Sequence, residues 1–204
     1  MGFIVPTTEK AKEKFYKIIK AADKLFAENG YEKTSINNIT SLANVAVGTF
    51  YLYFDDKISI YYYILFDYQN RIKEYIRNRI GDTPSRYEKE RIGLIAWLEF
   101  VNNNPNTYDI IWQSLAIDRH LFIDYYKKFA ESYSSGLEKD ADQITDNDFE
   151  TLSLALMGIS SFLGLKILLK ERSLTEDEIS SMADSIMNSL NNGLFKKAPN
   201  DSVQ

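Results

Sequence analysis

The chain has 204 residues, with 24 Lys and Arg against 29 Asp and Glu, a formal net charge of −5 and no cysteine. That length supports a sizeable core in one or two domains, and the missing thiols exclude a disulfide framework and thiolate metal sites, as suits a reducing cytoplasm. The net charge at first argues against nucleic acid, but residues 1–57 carry net +1 and residues 58–204 net −6, and the local field at the binding face governs phosphate binding.

No strand-like alternation or hairpin signal appears, so an all-α fold of about nine helices is expected. The opening MGFIVPTTEK lacks a basic segment followed by an apolar core, so no signal peptide is read there. A first helix starts near Thr8, after Pro6, and ends at Glu28 or Asn29, with Gly30 as its stop. Phe15, Ile18, Ile19, Ala22, Leu25 and Phe26 form its apolar stripe. Lys10, Lys12, Lys14, Lys17 and Lys20 crowd its first half among Glu9 and Glu13. That half reads either as a solvated face or as a source of one or two phosphate contacts.

The stretch from Thr34 to Lys57, TSINNITSLANVAVGTFYLYFDDK, organises the chain. Ser35 is a suitable N-cap, and Ile36, Ile39 and Leu42 or Ala43 recur at helical spacing. Asn44 falls where the chain must turn, and Asn tolerates the left-handed conformation. Val45, Phe50 and Phe54 can anchor a second short helix on the first. Val47, Gly48, Thr49, Tyr51, Leu52 and Tyr53 are expected to stay outside, a mixture suited to a helix lying in a DNA groove.

This run, with IIKAADKLFAENGY upstream of it, resembles the signature of the tetracycline-repressor (TetR) family of bacterial transcription regulators. The specific part covers about forty residues; the remainder is similar to the family in length and helical layout. Asn44 replaces the usual turn glycine, Thr40 stands where a small alanine usually packs, and Ala46 removes a possible cap or phosphate contact. The resemblance implies an N-terminal three-helix, helix-turn-helix DNA-binding domain over residues 1–54, a ligand-binding and dimerisation bundle over 55–197 and a tail over 198–204. The DNA-contacting set is then Ser35, Asn37, Val47, Gly48, Thr49, Tyr51, Leu52, Tyr53 and Lys57. Thr and Tyr hydroxyls with a Lys fix phosphates; Val47 and Leu52 suit thymine methyls, and Asn37 suits an adenine. Residues 1–57 contain no Arg, the commonest partner of guanine. An AT-rich, near-palindromic operator is expected.

The fourth helix is capped by Asp55 or Asp56 and carries Tyr61, Leu65, Tyr68, Ile72, Tyr75 and Ile76 to about Ile80. Gly81 to Pro84 breaks it. A fifth helix over Arg86–Asn103 is apolar nearly all round from Ile92 to Val101, as a central helix is. Short and long helices follow near Asn106–Leu115 and Arg119–Lys139. Asp140 to Asp148 reads as a loop without the glycine and closing glutamate of a calcium site, and Thr145-x-x-Asp148 reads as a helix start. Residues 151–165 are uncharged but interrupted by Ser153, Ser160 and Ser161, so a buried core helix is expected and no membrane span. Thr175-x-x-Glu178 is a capping box for the last helix, whose seam is Ile179, Met182, Ala183, Ile186, Leu190 and Leu194.

Residues 58–204 hold nineteen aromatic side chains. The family resemblance implies an effector pocket among helices four, five, seven and eight. Its candidate lining is Tyr62, Phe66, Trp97, Glu99, Phe100, Tyr108, Trp112, Phe122, Tyr125, Phe162 and Lys166. It also implies a homodimer through the last two helices, for which Gly158, Gly164, Ile179, Met182, Ala183, Ile186 and Leu190 are the candidates. Glu99 and Lys166, the unusual charges on apolar helices, face either the pocket or solvent; in the pocket, Glu99 favours a cationic ligand and Lys166 an acid. A lone His120, no Gly-rich phosphate loop and no metal-spaced cluster leave no basis for an enzyme or a cofactor. The expected function is a repressor released from double-stranded DNA by a small, mainly apolar or aromatic effector. A helical ligand-sequestering or partner-binding protein with weak DNA binding is the alternative.

Overall fold

The computed structural model describes residues 2–170 and 172–193. Among them the elements are α1 (Glu9–Asn29), α2 (Ile36–Leu42), α3 (Val47–Phe50), α4 (Lys57–Ile80), α5 (Arg86–Asn103), α6 (Asn106–Ile117), α7 (Arg119–Glu138), α8 (Phe149–Leu168) and α9 (Glu176–Asn192). A 3-10 turn over Ala141–Gln143 lies within the acidic loop, and one isolated antiparallel bridge joins Phe3 to Phe54. The expected all-α architecture is observed. The expected tail over 198–204 and Leu194 lie outside the described residues.

Local chemistry sets the helix ends. Gly30, at φ 78°, closes α1 with its N–H on the Phe26 carbonyl at 3.0 Å. Ser35 and Asn38 form a reciprocal box at the start of α2: the Asn38 N–H donates to Ser35 Oγ at 3.1 Å, and the Ser35 N–H to Asn38 Oδ1 at 3.0 Å. Asn44 takes the turn at φ 53°, the one non-glycine positive φ among the described residues. Of the two candidate caps for α4, Asp56 does the work: its Oδ1 accepts the Ser59 N–H at 2.8 Å and hydroxyl at 2.6 Å. Asp148 Oδ1 accepts the Thr151 N–H at 3.1 Å, so α8 is capped by Asp148 and not begun at Thr145. Asp148 wins because an ionised acceptor at the N-terminus also meets the positive end of the helix dipole. Thr175 and Glu178 close the expected box on α9.

The chain forms two compact units. The first comprises Met1–Lys73 and Asn104–Gly136, the second Glu74–Asn103 and Leu137–Gln204, so the division falls inside α4. In the first unit Phe15, Ile18 and Phe26 of α1 are buried with Ile39, Phe50 and Phe54 and with Ile60, Tyr61 and Leu65 of α4. Full burial of side chains of this size stabilises by about 1.5–3 kcal/mol each. Phe15 stacks on Phe54 at 5.3 Å and meets Tyr63 edge-on at 5.1 Å. The buried Thr40 hydroxyl finds its partner locally, donating to the Ile36 carbonyl at 2.9 Å. Polar links join α1 to the other helices: Tyr68 Oη donates to Asp23 Oδ1 at 2.8 Å, and Gln113 Nε2 donates to the Phe26 carbonyl at 3.1 Å.

In the second unit α5 is central, packed against α8 and α9, with Leu94, Ala96, Leu98 and Val101 buried. Trp97 Nε1 donates to the Ser160 carbonyl at 2.8 Å, and Arg91 grips Asp184 through Nε at 2.6 Å and Nη2 at 3.2 Å. Asn102 bonds both backbone groups of Leu174. One expectation is overturned: α8 is not a buried core helix, because only 22% of its apolar stretch is buried. Its length and composition would suffice to cross a membrane; what its apolar surface lacks within the chain is a second covering face.

Replacing Asn44 by Ala should lower stability by about 1 kcal/mol, the order of the left-handed penalty for a side chain with a Cβ, whereas Asn44→Gly should cost much less. Urea denaturation of both variants measures the difference. Asp23 supplies a pH test. Burial pushes its carboxyl above the ordinary 3.8, outweighing hydrogen bonds from Tyr68 and Asn106. The unfolded chain then loses this proton first, so the group's contribution is complete below pH 3.8 and declines as pH rises toward the raised folded-state value. Asp23→Asn should abolish that decline. Denaturation measured from acid to neutral pH should show the variant gaining on the wild type as pH rises, and a parallel pair of curves would contradict the assignment.

Candidate nucleic-acid interface

The interface is built on α2, the Asn44 turn and α3. Phe50, fully buried, pins α3 to the core of its unit, which turns Val47, Gly48, Tyr51 and Leu52 outward. Tyr51 is 55% exposed and Leu52 65%. Thr49 is half-buried, and Gly48 has open space where a Cβ would stand, so a groove wall can approach its backbone. Ser35 and Asn37 are exposed on α2 and its cap. The Ser35 hydroxyl is engaged with Asn38, donating to Oδ1 at 2.6 Å. Ala46 begins α3 without a side-chain cap.

Two residues expected on this face are placed elsewhere. Tyr53 is 7% exposed: its ring meets Phe15 edge-on at 5.4 Å and its hydroxyl donates to the Ala11 carbonyl at 3.2 Å. Lys57 is half-buried, with Nζ donating to the Tyr31 carbonyl at 2.8 Å and lying 4.0 Å from the centre of the Tyr31 ring. Both are amphipathic side chains whose polar tips found a backbone carbonyl within reach. Sequence spacing gives no sign of such partners.

The sequence reading also missed two supports. Residues before α1 pair with the segment after α3: the Ile4 N–H donates to the Tyr53 carbonyl at 2.8 Å, and the Asp55 N–H to the Gly2 carbonyl at 3.2 Å. Phe3 sits edge-on to Tyr63 of α4 at 5.3 Å. A side chain at position 2 would meet the Asp55 carboxylate. The other support is Gln113 of α6, whose Oε1 accepts the Tyr31 N–H at 3.1 Å. Neither segment carries a strand pattern or a motif that would have revealed it.

The candidate effector residues fall into separate groups. In the first unit Tyr62 and Phe66 lie 4.5 Å apart, Phe66 is 6.4 Å from Tyr125, and Tyr108 stacks on Trp112 at 6.5 Å. Tyr108 and Tyr125 are buried, Phe122 half-buried and Trp112 partly exposed. Burial pushes the Tyr125 phenol well above its ordinary range, so it stays neutral. In the second unit Trp97 and Phe100 are buried. Glu99 is neither open to a pocket nor bathed in solvent, since Tyr75 Oη at 3.0 Å and Arg79 Nη2 at 2.7 Å hold it. Phe162 is 65% exposed, and Lys166, one turn on, is exposed along a groove between α8 and α9. Those two residues are corrected from pocket lining to outer surface, because Ser160 marks the side of α8 that faces Trp97.

That groove, of about 520 Å³, is lined by Leu163, Lys166 and Leu174 together with Met182, Ser185 and Ile186. The expected α9 seam is two adjacent lines. Ile179 and Ala183 point inward with Met187 and are buried, so they are corrected from dimer contacts to core. Met182 and Ile186 face the groove, and Leu190 is exposed. On α8, Gly164 is buried, whereas Gly158 is half-buried with open space above it.

Residues 18–63 match the sequence profile of the bacterial regulatory proteins of the tetR family. The chain is 26% identical over 208 residues to the HTH-type transcriptional regulator YerO of Bacillus subtilis, covering 94% of this chain and 69% of that one. A putative TetR-family regulator from Syntrophomonas wolfei superposes with a TM-score of 0.78 at 26% identity, over 92% of this chain and 99% of that one. The fold also matches that of the regulator FadR from Bacillus subtilis, solved in complex with stearoyl-CoA, with a TM-score of 0.74 at 19% identity over 89% and 100% of the two chains. The profile falls on the α1–α4 segment that carries the exposed α3 face, and with it the chain carries the helix-turn-helix DNA-binding segment of the tetR family of transcription regulators.

Proposed function

We propose that the protein is a homodimeric repressor that leaves an AT-rich, near-palindromic operator when a small, mainly apolar or aromatic effector binds. The observation that carries this reading is the outward face of α3, where Val47, Gly48, Tyr51 and Leu52 stand together while Phe50 is buried beneath them. Apolar contacts to thymine methyls suit Val47 and Leu52, and a Tyr51 hydroxyl suits a phosphate. Residues 1–54 then read DNA, and residues 55–197 bind the effector and the second protomer. The aromatic group around Phe66 and Tyr125 supports an apolar effector, and a fold shared with a regulator solved with stearoyl-CoA is in keeping with it. Release requires that the effector bind the DNA-incompetent state more tightly, since only that difference shifts the equilibrium. The act takes place in the cytoplasm, where the operator is.

Selection of duplexes from a random pool tests the DNA reading. Inverted AT-rich half-sites about 34–36 Å apart, or a multiple of that, are expected; recovery of unrepeated G-rich sites would sink both the readout and the dimer. Dimerisation through the α8 and α9 face is supported by the uncovered apolar surface of α8 and by the position of Met182 in the groove. Met182→Glu should place an unpaired charge in that interface and give monomers by light scattering. Persistent dimers would place the contact on another surface.

A further inference from the structure

The α3 face offers hydroxyl and apolar groups but no cation, and the salt-dependent electrostatic part of phosphate binding requires one. Residues 1–57 hold eight Lys and no Arg. Lys57 is spent on Tyr31. Lys12, Lys17 and Lys24 pair with Glu9, Glu13 and Glu28 at 2.9, 2.7 and 3.8 Å. Lys10, Lys14, Lys20 and Lys33 are exposed, with no hydrogen bond or ion pair among the described residues.

Of these four, two are aimed by the helix that carries them. Lys10 and Lys14 stand at i and i+4, and helical spacing continues their flank of α1 to Ala21 and Leu25. That flank is where α2 lies. Ala21 is buried, the Leu25 carbonyl accepts the Thr34 hydroxyl at 3.1 Å just ahead of α2, and α1 packs on α2. The other flank, carrying Asp23, is bonded to Tyr68 of α4. At the level of the two lysines, Tyr53 bonds the Ala11 carbonyl and meets the Phe15 ring. The first turns of α1 therefore sit beside the turn that ends the recognition helix. Lys12 and Lys20 point away from that side.

We propose that Lys10 and Lys14 make the cationic contacts to the DNA phosphate backbone beside α3, the role that Lys57 gives up by holding Tyr31. This inference rests on the DNA-binding reading of the α3 face. Because phosphate contacts carry no sequence information, a known operator is not needed to detect them.

The test uses the full chain, a short random-sequence duplex and fluorescence anisotropy over a salt series. Each lost phosphate contact lowers the slope of log affinity against log salt by about 0.9. Lys10→Gln with Lys14→Gln should reduce it by about 1.8 per protomer, or about 3.6 for the dimer, and so shrink by about a hundredfold the affinity lost between about 50 and about 200 mM salt. The charge-matched pair Lys12→Gln with Lys20→Gln should leave the slope unchanged. Gln has nearly the helix propensity of Lys, and circular dichroism melting confirms that both variants keep the fold. An unchanged slope in the first pair, or equal reductions in both, overturns the assignment to Lys10 and Lys14 while the DNA-binding reading stands. Failure of the wild type to bind any duplex overturns both together.

Discussion

The first unit depends on how one turn residue is held. Tyr31 follows Gly30 in the link between α1 and α2, and every polar backbone group there must find a partner or water. Its N–H is taken by Gln113 of α6, its carbonyl by Lys57 of α4, and its ring by Phe26 and Tyr61. Four side chains from three helices converge on a residue with no regular structure of its own. The orientation of α2, and through the Asn44 turn that of α3, follows from this clamp. An ammonium held by both a carbonyl and an aromatic face is a stronger tie than either partner alone. This explains why a lysine at the start of α4 serves the scaffold and leaves the groove face to others.

What the sequence made legible is chemistry that acts over three or four residues. Ser35, Thr175 with Glu178, Gly30 and Asn44 each decide a helix end or turn by themselves, and each sits where the sequence places it; the Asn38 half of the Ser35 box came only with the structure. Phe50 lies inward and Val47, Gly48, Tyr51 and Leu52 outward, as expected, while Thr49 is half-buried. The misreadings share one cause, which is that the deciding partner lies far away in sequence. Tyr53 is drawn inward by Ala11 and Phe15, forty residues earlier, and Lys57 by Tyr31. Ile179 and Met182 are both apolar and three residues apart, yet one meets α5's unit core and the other a groove. Periodicity shows that a helix has a wide apolar face and is silent about how many neighbours share it.

The second unit shows the same division between local and distant control. Glu178 completes the α9 capping box, pairs with Arg172 at 2.6 Å and lies 3.8 Å from Lys170, which together hold its carboxyl down at about 2. That chemistry is compact and exposed, and it sits at the start of α9. Along α8 and its C-terminal end, apolar side chains such as Leu154, Phe162 and Leu169 are exposed. At roughly 25 cal/mol for each square ångström of apolar surface removed from water, such a surface favours association whenever a matching one is offered. A rigid, charged corner beside an open apolar face is a combination that orients a partner as well as attracting it.

The two tryptophans of the chain fall one to each unit. Trp97 is buried with its indole N–H bonded to a helix carbonyl, and Trp112 sits partly in water at the outer side of α6. Their emission maxima should therefore differ, the first bluer than the second. The protein in effect carries a separate optical label in each half, already in place without chemical modification. Replacing either indole by phenylalanine leaves a single emitter, so the loosening of one half can be timed against that of the other in the same stopped-flow experiment.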